Sequence, residues 1–98
     1  MPDKRRLLVF TPRFHRALKR FAGKDRRRQH CVNDAIERME ANVFDPSLQT
    51  HALTGKLAGF HASSCGYDCR IVFHFSRNPT AKAEQIVLID VGTHDEVY

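Results

Sequence analysis

Hydrophobic residues recur at helical spacing through the first half of the chain. Thr11-Pro12 opens the first periodic segment, since threonine caps helix N-termini and proline suits the first helical position. Gly23 ends that segment, and Asp25 can cap a second one, which Asp45-Pro46-Ser47 stops. The sequence therefore predicts a helical hairpin. Its apolar stripes are Phe14, Leu18, Phe21 and Ala22 on the first helix, and Val32, Ala35, Ile36, Met39 and Val43 on the second.

Extended segments flank this hairpin. Four of them are predicted as strands: residues 6–10, 56–62, 67–75 and 86–91. The third alternates apolar and polar side chains, whereas the last is continuously apolar, which is typical of a central strand. A polar turn is expected at residues 76–83. The order β-α-α-β-β-β predicts an α+β fold, with the hairpin packed on one face of a mainly antiparallel four-stranded sheet and the other face partly open.

Size and composition indicate one ordinary globular domain spanning residues 1–98. The chain is 42% hydrophobic and 28% charged, and no apolar run approaches the roughly 18 residues of a membrane span. Only four apolar residues follow the basic N-terminus, too few for a signal peptide. Three cysteines, an odd number, favour a reducing compartment over a disulfide scaffold. A cytoplasmic protein is expected.

Positive charge is concentrated at the start of the chain. Residues 1–28 hold eleven of the 16 Lys and Arg residues and two of the 11 acidic ones, for a local charge of +9 within a total of +5. Such a distribution is typical of a protein that binds a polyanion or an acidic partner. A solvated helix face with no partner is the alternative.

Chemistry-bearing side chains follow the last predicted strand. His94, Asp95, Glu96 and Tyr98 stand within five residues of one another, at the end of a rigid element, where acid–base chemistry can be organised. If the apolar side chains of residues 67–75 pack under the helices, Asp68, Arg70 and His74 face outward, with His51 and His94 on neighbouring segments. Cleavage of RNA without a metal needs a base, an acid and a cation for the phosphate, and Arg70 or Lys56 could supply the cation.

A zinc site is a weaker interpretation of the same region. His61, Cys65 and Cys69 are spaced four apart, which meets the usual pairing of zinc-binding cysteines only loosely. Cys69 also alternates with residues predicted for the core. We expect no metal and no cofactor.

Three motifs, in order, resemble the RelE/ParE superfamily of bacterial toxins. They are the segment Leu53-Thr54-Gly55-Lys56-Leu57-Ala58-Gly59-Phe60, the strand Asp68-Cys69-Arg70-Ile71-Val72-Phe73, and the ending Gly92-Thr93-His94-Asp95-Glu96-Val97-Tyr98. The Gly-Thr-His ending is most similar to the YafQ branch of ribosome-dependent mRNA endonucleases. The resemblance covers about half of the chain by motif and all of it by element order.

The resemblance implies roles for individual residues. His94 and His51 match histidines expected to transfer protons, Asp68 an acidic residue of the central strand, and Tyr98 a terminal aromatic that can stack on a base. Where the branch has another histidine in the loop before the central strand, this chain has Ser64, with His61 three residues earlier as the candidate for that role. The resemblance also implies that the basic first helix, with Arg13, Arg16, Lys19 and Arg20, binds ribosomal RNA.

The function expected from this resemblance is that of a toxin of a type II toxin–antitoxin pair. It would be an endoribonuclease that cleaves mRNA in the ribosomal decoding site by metal-independent acid–base catalysis. Its partners would be mRNA, ribosomal RNA and a small antitoxin with an acidic segment that folds on binding. Two alternatives share the fold: a non-enzymatic ParE-type inhibitor of DNA gyrase, and an inactive paralogue that only binds its antitoxin.

Overall fold

The computed structural model describes residues 6–66, 68–78 and 83–98, with backbone alone at 78 and 83. Tyr67 and residues 79–82, which belong to the predicted third strand and its turn, lie outside the described residues. The described elements are β1 (Leu7–Phe10), α1 (Pro12–Ala22), α2 (Arg26–Asn42), β2 (His51–Ala52), β3 (His61–Ser64), β4 (Arg70–Asn78), β5 (Ala83–Gly92) and α3 (His94–Val97). Two single 3₁₀ turns, Pro46–Leu48 and Gly55–Leu57, stand between α2 and β3.

Both helices of the hairpin begin where the sequence predicts. The Thr11 hydroxyl accepts the Phe14 N–H at 3.1 Å and donates to the Leu88 carbonyl at 2.7 Å, so the cap also ties α1 to β5. The Asp25 carboxylate accepts the Arg28 N–H at 3.1 Å and opens α2. Among the described residues, no helix is long and apolar enough to cross a membrane.

The strands form a single sheet in the order β1-β5-β4-β3-β2. β5 pairs in parallel with β1 and antiparallel with β4, so the last strand is central, as its apolar run predicts. The other pairs, β3 with β4 and β2 with β3, are antiparallel. The predicted α+β architecture is confirmed, with five strands instead of four because His51–Ala52 adds a two-residue strand at the edge.

The core lies between the helical hairpin and one face of the sheet. Helix residues Phe14, Phe21, Val32 and Met39 pack there against strand residues Ile71, Phe73, Ile86, Leu88 and Val91. All of these are at most 6% exposed. Because strand side chains alternate between faces, Arg70, Val72 and His74 lie on the other face, which we call the second face. One face of β4 thus packs in the core, and the other face carries the candidate functional residues.

The strand predicted at residues 56–62 is wrong in its position. Residues 55–57 form a 3₁₀ turn, and β3 spans His61–Ser64 instead. Gly55 and Gly59 have φ angles of +68° and +96°, conformations that extended strands do not contain. The two glycines therefore turn the chain before β3 begins.

The sequence favours a reducing compartment over a disulfide scaffold, and it does not predict the disulfide that the described residues contain. Cys65 and Cys69 form a disulfide, with Cα atoms 5.0 Å apart. The chain returns on itself between them through Gly66, with φ +109°, and Asp68, with φ +53°. That turn brings the two side chains within bonding range, which the count of three cysteines does not reveal. Cys31 remains a free thiol and is half-buried.

Candidate functional site

A groove of about 370 Å³ lies at the end of the sheet next to α3. Three residues that the sequence selects, His51, Lys56 and Tyr98, line it together. Leu53, Thr54 and Leu57 complete the lining. The groove therefore combines a titratable imidazole, a cation, a phenol and two apolar side chains, which can contact a phosphate and a base at the same time.

His94 is the first residue of α3, and Tyr98 caps its C-terminus. The His94 and Tyr98 rings meet edge to face, with centroids 4.7 Å apart. The helix is fixed by a reciprocal cap in which Thr93 accepts the Glu96 N–H at 3.3 Å and the Glu96 carboxylate accepts the Thr93 N–H at 2.8 Å. Glu96 is thus used to hold the helix. Its neighbour Asp95 is solvent-exposed and makes only a long contact of 3.5 Å with His94 Nδ1.

The environment of the Tyr98 hydroxyl changes its acidity. Partial burial raises the pKa of Tyr98, and the nearby charge of Arg70 acts in the opposite direction. Tyr98 therefore stays protonated at neutral pH, as a hydrogen-bond donor and a flat surface. The effect of Arg70 also shows that its guanidinium lies near the groove.

Asp68 contacts His94 through the backbone. An oxygen of its carboxylate accepts the His94 N–H at 3.1 Å, so the loop before β4 is joined to the start of α3. This carboxylate is exposed and uses that oxygen to hold the residue that bears the imidazole. The arrangement makes Asp68 a positioning residue of the candidate site.

Arg70 is held where β4 begins. Its Nη1 donates to the Cys69 carbonyl at 2.9 Å and lies 3.5 Å from the Ser64 hydroxyl. The Ser64 hydroxyl therefore lies next to the cation. The guanidinium is half-buried and keeps other N–H groups free of these contacts, as a phosphate-binding side chain requires.

Strand register puts His51 on the same face as Arg70. His51 pairs with Ala62, Ala62 pairs with Val72, and directly paired residues share a face. Its Nδ1 contacts the Gln49 carbonyl at 2.9 Å. That contact fixes the ring and leaves Nε2 for a substrate. His74 lies on this second face too, half-buried beneath the edge of Phe60, with the ring centroids 5.8 Å apart.

The structure places His61 away from the groove. It pairs with Phe73 and therefore lies on the helix-packed face, 5.8 Å from the Phe73 ring and 4.8 Å from the Phe75 ring. Its Nδ1 is buried and has no hydrogen-bond partner among the described residues. The role that the resemblance suggested for His61 is therefore not supported by its position, because His61 is the first residue of β3 and faces the core.

The basic side chains of α1 are likewise not brought to the groove. Arg13, Arg16, Lys19 and Arg20 are all exposed, but α1 packs on the sheet face opposite to Arg70. Arg13 reaches around the sheet far enough to lie 3.7 Å from Asp90. These residues form a separate positive surface.

Sequence reasoning missed several residues near the site. Leu53 and Leu57 line the groove on either side of Lys56, and their apolar character inside a polar segment is the signal that could have selected them. Arg27 borders the same cavity as Asp68, between α2 and the disulfide. It belongs to the triplet 26–28, which the charge count included but did not single out.

The described residues contain no group of three His, Cys, Asp or Glu side chains that could hold a metal ion. The zinc interpretation of His61, Cys65 and Cys69 does not fit, because the two sulfurs are bonded to each other and a zinc site needs thiolates.

Solved structures share this architecture along almost the whole chain. YafQ from E. coli strain BL21(DE3) superposes with a TM-score of 0.74 at 13% identity, covering 95% of this chain and 98% of the other. The YoeB/ParE toxin from Agrobacterium tumefaciens gives 0.70 at 20% identity, covering 90% and 98%. The chain has the RelE/ParE toxin fold.

The same fold occurs in the toxin–antitoxin complex RelBE2 from Mycobacterium tuberculosis, with a TM-score of 0.63 at 18% identity over 92% of this chain and 99% of the other. The sequence itself matches no protein-family model and no curated protein. At these identities the RelE/ParE likeness establishes the fold. The chemistry has to be argued from this chain's own residues.

Proposed function

We propose that this protein is the toxin of a type II toxin–antitoxin pair and cleaves mRNA on the ribosome. The observation that carries the proposal is the juxtaposition at one end of the sheet of His51, Lys56 and Tyr98 in one groove, with His94 against Tyr98. A RelE/ParE fold with one imidazole lining a groove and a second against the Tyr98 ring beside it has the residue types that RNA cleavage requires.

The proposed reaction is an in-line attack by the ribose 2′-oxygen on the neighbouring phosphorus. One imidazole removes the 2′-hydroxyl proton, and the other gives a proton to the departing 5′-oxygen, which leaves a 2′,3′-cyclic phosphate. Imidazoles suit both roles because their ordinary pKa lies near neutrality. His94 and His51 take these roles, while Arg70 and Lys56 stabilise the charge that accumulates on the phosphorane oxygens.

Tyr98 and the apolar wall formed by Leu53 and Leu57 provide the base-binding part of the proposal. An aromatic ring stacked on a base contributes about 1–3 kcal/mol and is tolerant of sequence. Stacking would hold the nucleotide beside the scissile phosphate. Because the Tyr98 hydroxyl stays protonated, it adds no negative charge that would repel the RNA backbone.

The proposed partners are ribosomal RNA and an antitoxin. The exposed basic residues of α1 lie on the opposite face of the sheet from the groove, so they can bind ribosomal RNA while the groove holds mRNA. The antitoxin is expected to carry an acidic segment that binds these basic helices. A basic cognate segment would contradict this electrostatic argument.

The test compares wild type with His94→Ala and Asp95→Ala after induction in a bacterial host. Asp95 is the matched control, since it is adjacent and fully solvent-exposed. Wild type and Asp95→Ala should arrest growth and generate new 5′ ends within coding regions. His94→Ala should do neither while keeping the wild-type circular dichroism spectrum.

A folded His94→Ala variant that still cleaves mRNA would overturn the catalytic assignment. Growth arrest with intact mRNA and gyrase-dependent DNA breaks would instead identify a ParE-type gyrase inhibitor. Absence of any arrest by the wild type, with retained binding to a neighbouring gene's product, would identify an inactive paralogue.

A further inference from the structure

A disulfide closes the loop that joins β3 to β4. Its two half-cystines are 4% and 2% exposed, and the Cys65 N–H donates to the Cys69 carbonyl at 2.9 Å. The ring they close is very short, with a sequence separation of 4. In the chain-entropy model a loop this short adds less to global stability than a long one would, so the effect of the bond is expected to be mainly local.

The loop makes direct contacts with two residues of the candidate site. Asp68, inside the ring, accepts the His94 N–H at 3.1 Å. The Cys69 carbonyl, at the end of the ring, accepts a guanidinium N–H of Arg70 at 2.9 Å. The disulfide therefore constrains the Asp68 carboxylate, which positions His94, and the Cys69 carbonyl, which positions Arg70.

The conformation of the loop is one that a free chain would tend to leave. Asp68 has φ +53°, in the left-handed region that residues other than glycine rarely adopt. A covalent ring between the neighbouring cysteines removes many of the alternatives. Without it, Asp68 gains conformational freedom and its carboxylate can move away from His94.

The bond lies next to space through which a reductant can approach. Cavities of about 380 and 450 Å³ border it, and both are lined by Cys65 and by the free thiol of Cys31. Cys31 is close enough that its sulfur would lie 3.7 Å from a Cβ placed on Gly66. Disulfides in reducing compartments tend to be redox-sensing or catalytic rather than structural.

We propose that the Cys65–Cys69 disulfide is a redox-sensitive positioning device for the candidate site. When it is formed, Asp68 holds His94 and Arg70 is oriented; when it is reduced, both contacts loosen and the site loses activity. The reductant is a dithiol: the S–S bond breaks, each cysteine sulfur gains one hydrogen, and the dithiol becomes a cyclic disulfide. This inference rests on the proposed nuclease function for its catalytic consequence alone.

The experiment compares the full chain before and after treatment with dithiothreitol. Thiol titration in denaturant should count one thiol before treatment and three after. Reduction should shift the His94 amide resonance in ¹H–¹⁵N spectra. It should also lower kcat for mRNA cleavage by about tenfold with little change in KM, since small displacements of a catalytic group are costly.

Two variants distinguish the role of the Cys65–Cys69 pair from that of Cys31. Cys31→Ser should keep the full response, because the bonded pair is intact. Cys65→Ser/Cys69→Ser should give the reduced pattern in both buffers. If the double variant fails to fold, the test still rests on wild-type protein whose thiols have been counted, compared in the oxidised and reduced states.

The outcomes distinguish this inference from the proposed function. An unchanged His94 resonance in protein with three titrated thiols would overturn the positioning role, even if the protein cleaves mRNA. A shifted resonance in a protein that cleaves nothing in either state would support the positioning role and overturn the nuclease proposal.

Discussion

The imidazole of His94 and the phenol ring of Tyr98 meet edge to face, with their planes at 83° and their centroids 4.7 Å apart. The four-residue spacing on α3 brings the two rings to one side of the helix. This contact places His94 next to the groove, because Tyr98 lines the groove alongside His51. This contact involves the ring of Tyr98 and not its hydroxyl, so we expect the ring to matter more than the hydroxyl for activity.

Tyr98→Phe should keep activity within about twofold, whereas Tyr98→Ala should lose about tenfold to a hundredfold, the value of one stacked base. Burial raises the pKa of Tyr98 from its ordinary 10.0, so its hydroxyl stays protonated up to pH 9, and the phenylalanine variant should show the wild-type pH–rate profile. Cleavage of ribosome-bound mRNA from pH 5 to 9 measures both. A Tyr98→Phe variant with a displaced alkaline limb would show that the hydroxyl takes part in proton transfer.

His61→Phe should leave activity within about twofold and raise the free energy of unfolding by up to about 1 kcal/mol, because the substitution removes a buried, unpartnered nitrogen. The ring contacts with Phe73 and Phe75 can be kept by phenylalanine. Urea denaturation and the cleavage assay test the two parts. His51→Phe, made in parallel, should abolish cleavage, and loss of cleavage in His61→Phe at full stability would return His61 to the site.

Gly92→Ala should destabilise α3 by about 0.5–2 kcal/mol, the usual cost of losing a helix cap. A Cβ at this position would lie 2.9 Å from the Glu96 carboxylate and 3.1 Å from its Cβ, so Glu96 would leave the Thr93 N–H. Reduced helix protection in hydrogen exchange at Glu96 and Val97 is the readout. Thr93→Ser keeps the capping hydroxyl and should behave as wild type; if it is as damaging as Gly92→Ala, the cap is not the cause.

Asp45→Asn should lower stability at pH 7 and have little effect at about pH 2.5. Hydrogen bonds from the Ser47 hydroxyl and N–H, aided by the charge of Arg38, lower the pKa of Asp45 from its ordinary 3.8. The carboxylate thus stabilises the fold above its ordinary pKa. That stabilisation is lost as the pH falls through the lowered value in the folded state.

Urea midpoints at the two pH values check this prediction. Asp95→Asn is the control, because that carboxylate is fully exposed, and its midpoint difference should stay small at both. A gap between wild type and Asp45→Asn that persists unchanged in acid would contradict the charge-based explanation.

Local signals predicted most of the fold because they act over a few residues. The caps at Thr11 and Asp25 and the apolar stripes of the hairpin determine α1 and α2 almost to the residue. The start of β3 was harder, since an apolar segment punctuated by Gly55 and Gly59 can be read either as an irregular strand or as turns. Because β2 has only two residues, it shows no periodicity of its own, and only its pairing with β3 defines it as a strand.

The residues of the candidate site likewise divide into those whose position the sequence predicts and those whose position it does not. Motif resemblance selected His51, Lys56 and Tyr98, which one groove brings together. The face of the sheet on which His61 lies depends on which residue of β4 it pairs with. A shift of one residue in this register would move the His61 side chain to the opposite face. The sequence does contain a missed signal for α3: Thr93 followed three residues later by Glu96 is a capping box.

The parallel pairing of β1 with β5 also determines the order in which the fold can form during synthesis. Phe10 is aligned with Leu88, so the first strand gains this partner only when nearly ninety residues have been made. Until then the α1–α2 hairpin has only an incomplete sheet to pack on. Under the function proposed above, the candidate site therefore cannot form before β5 has been made, because α3 follows that strand.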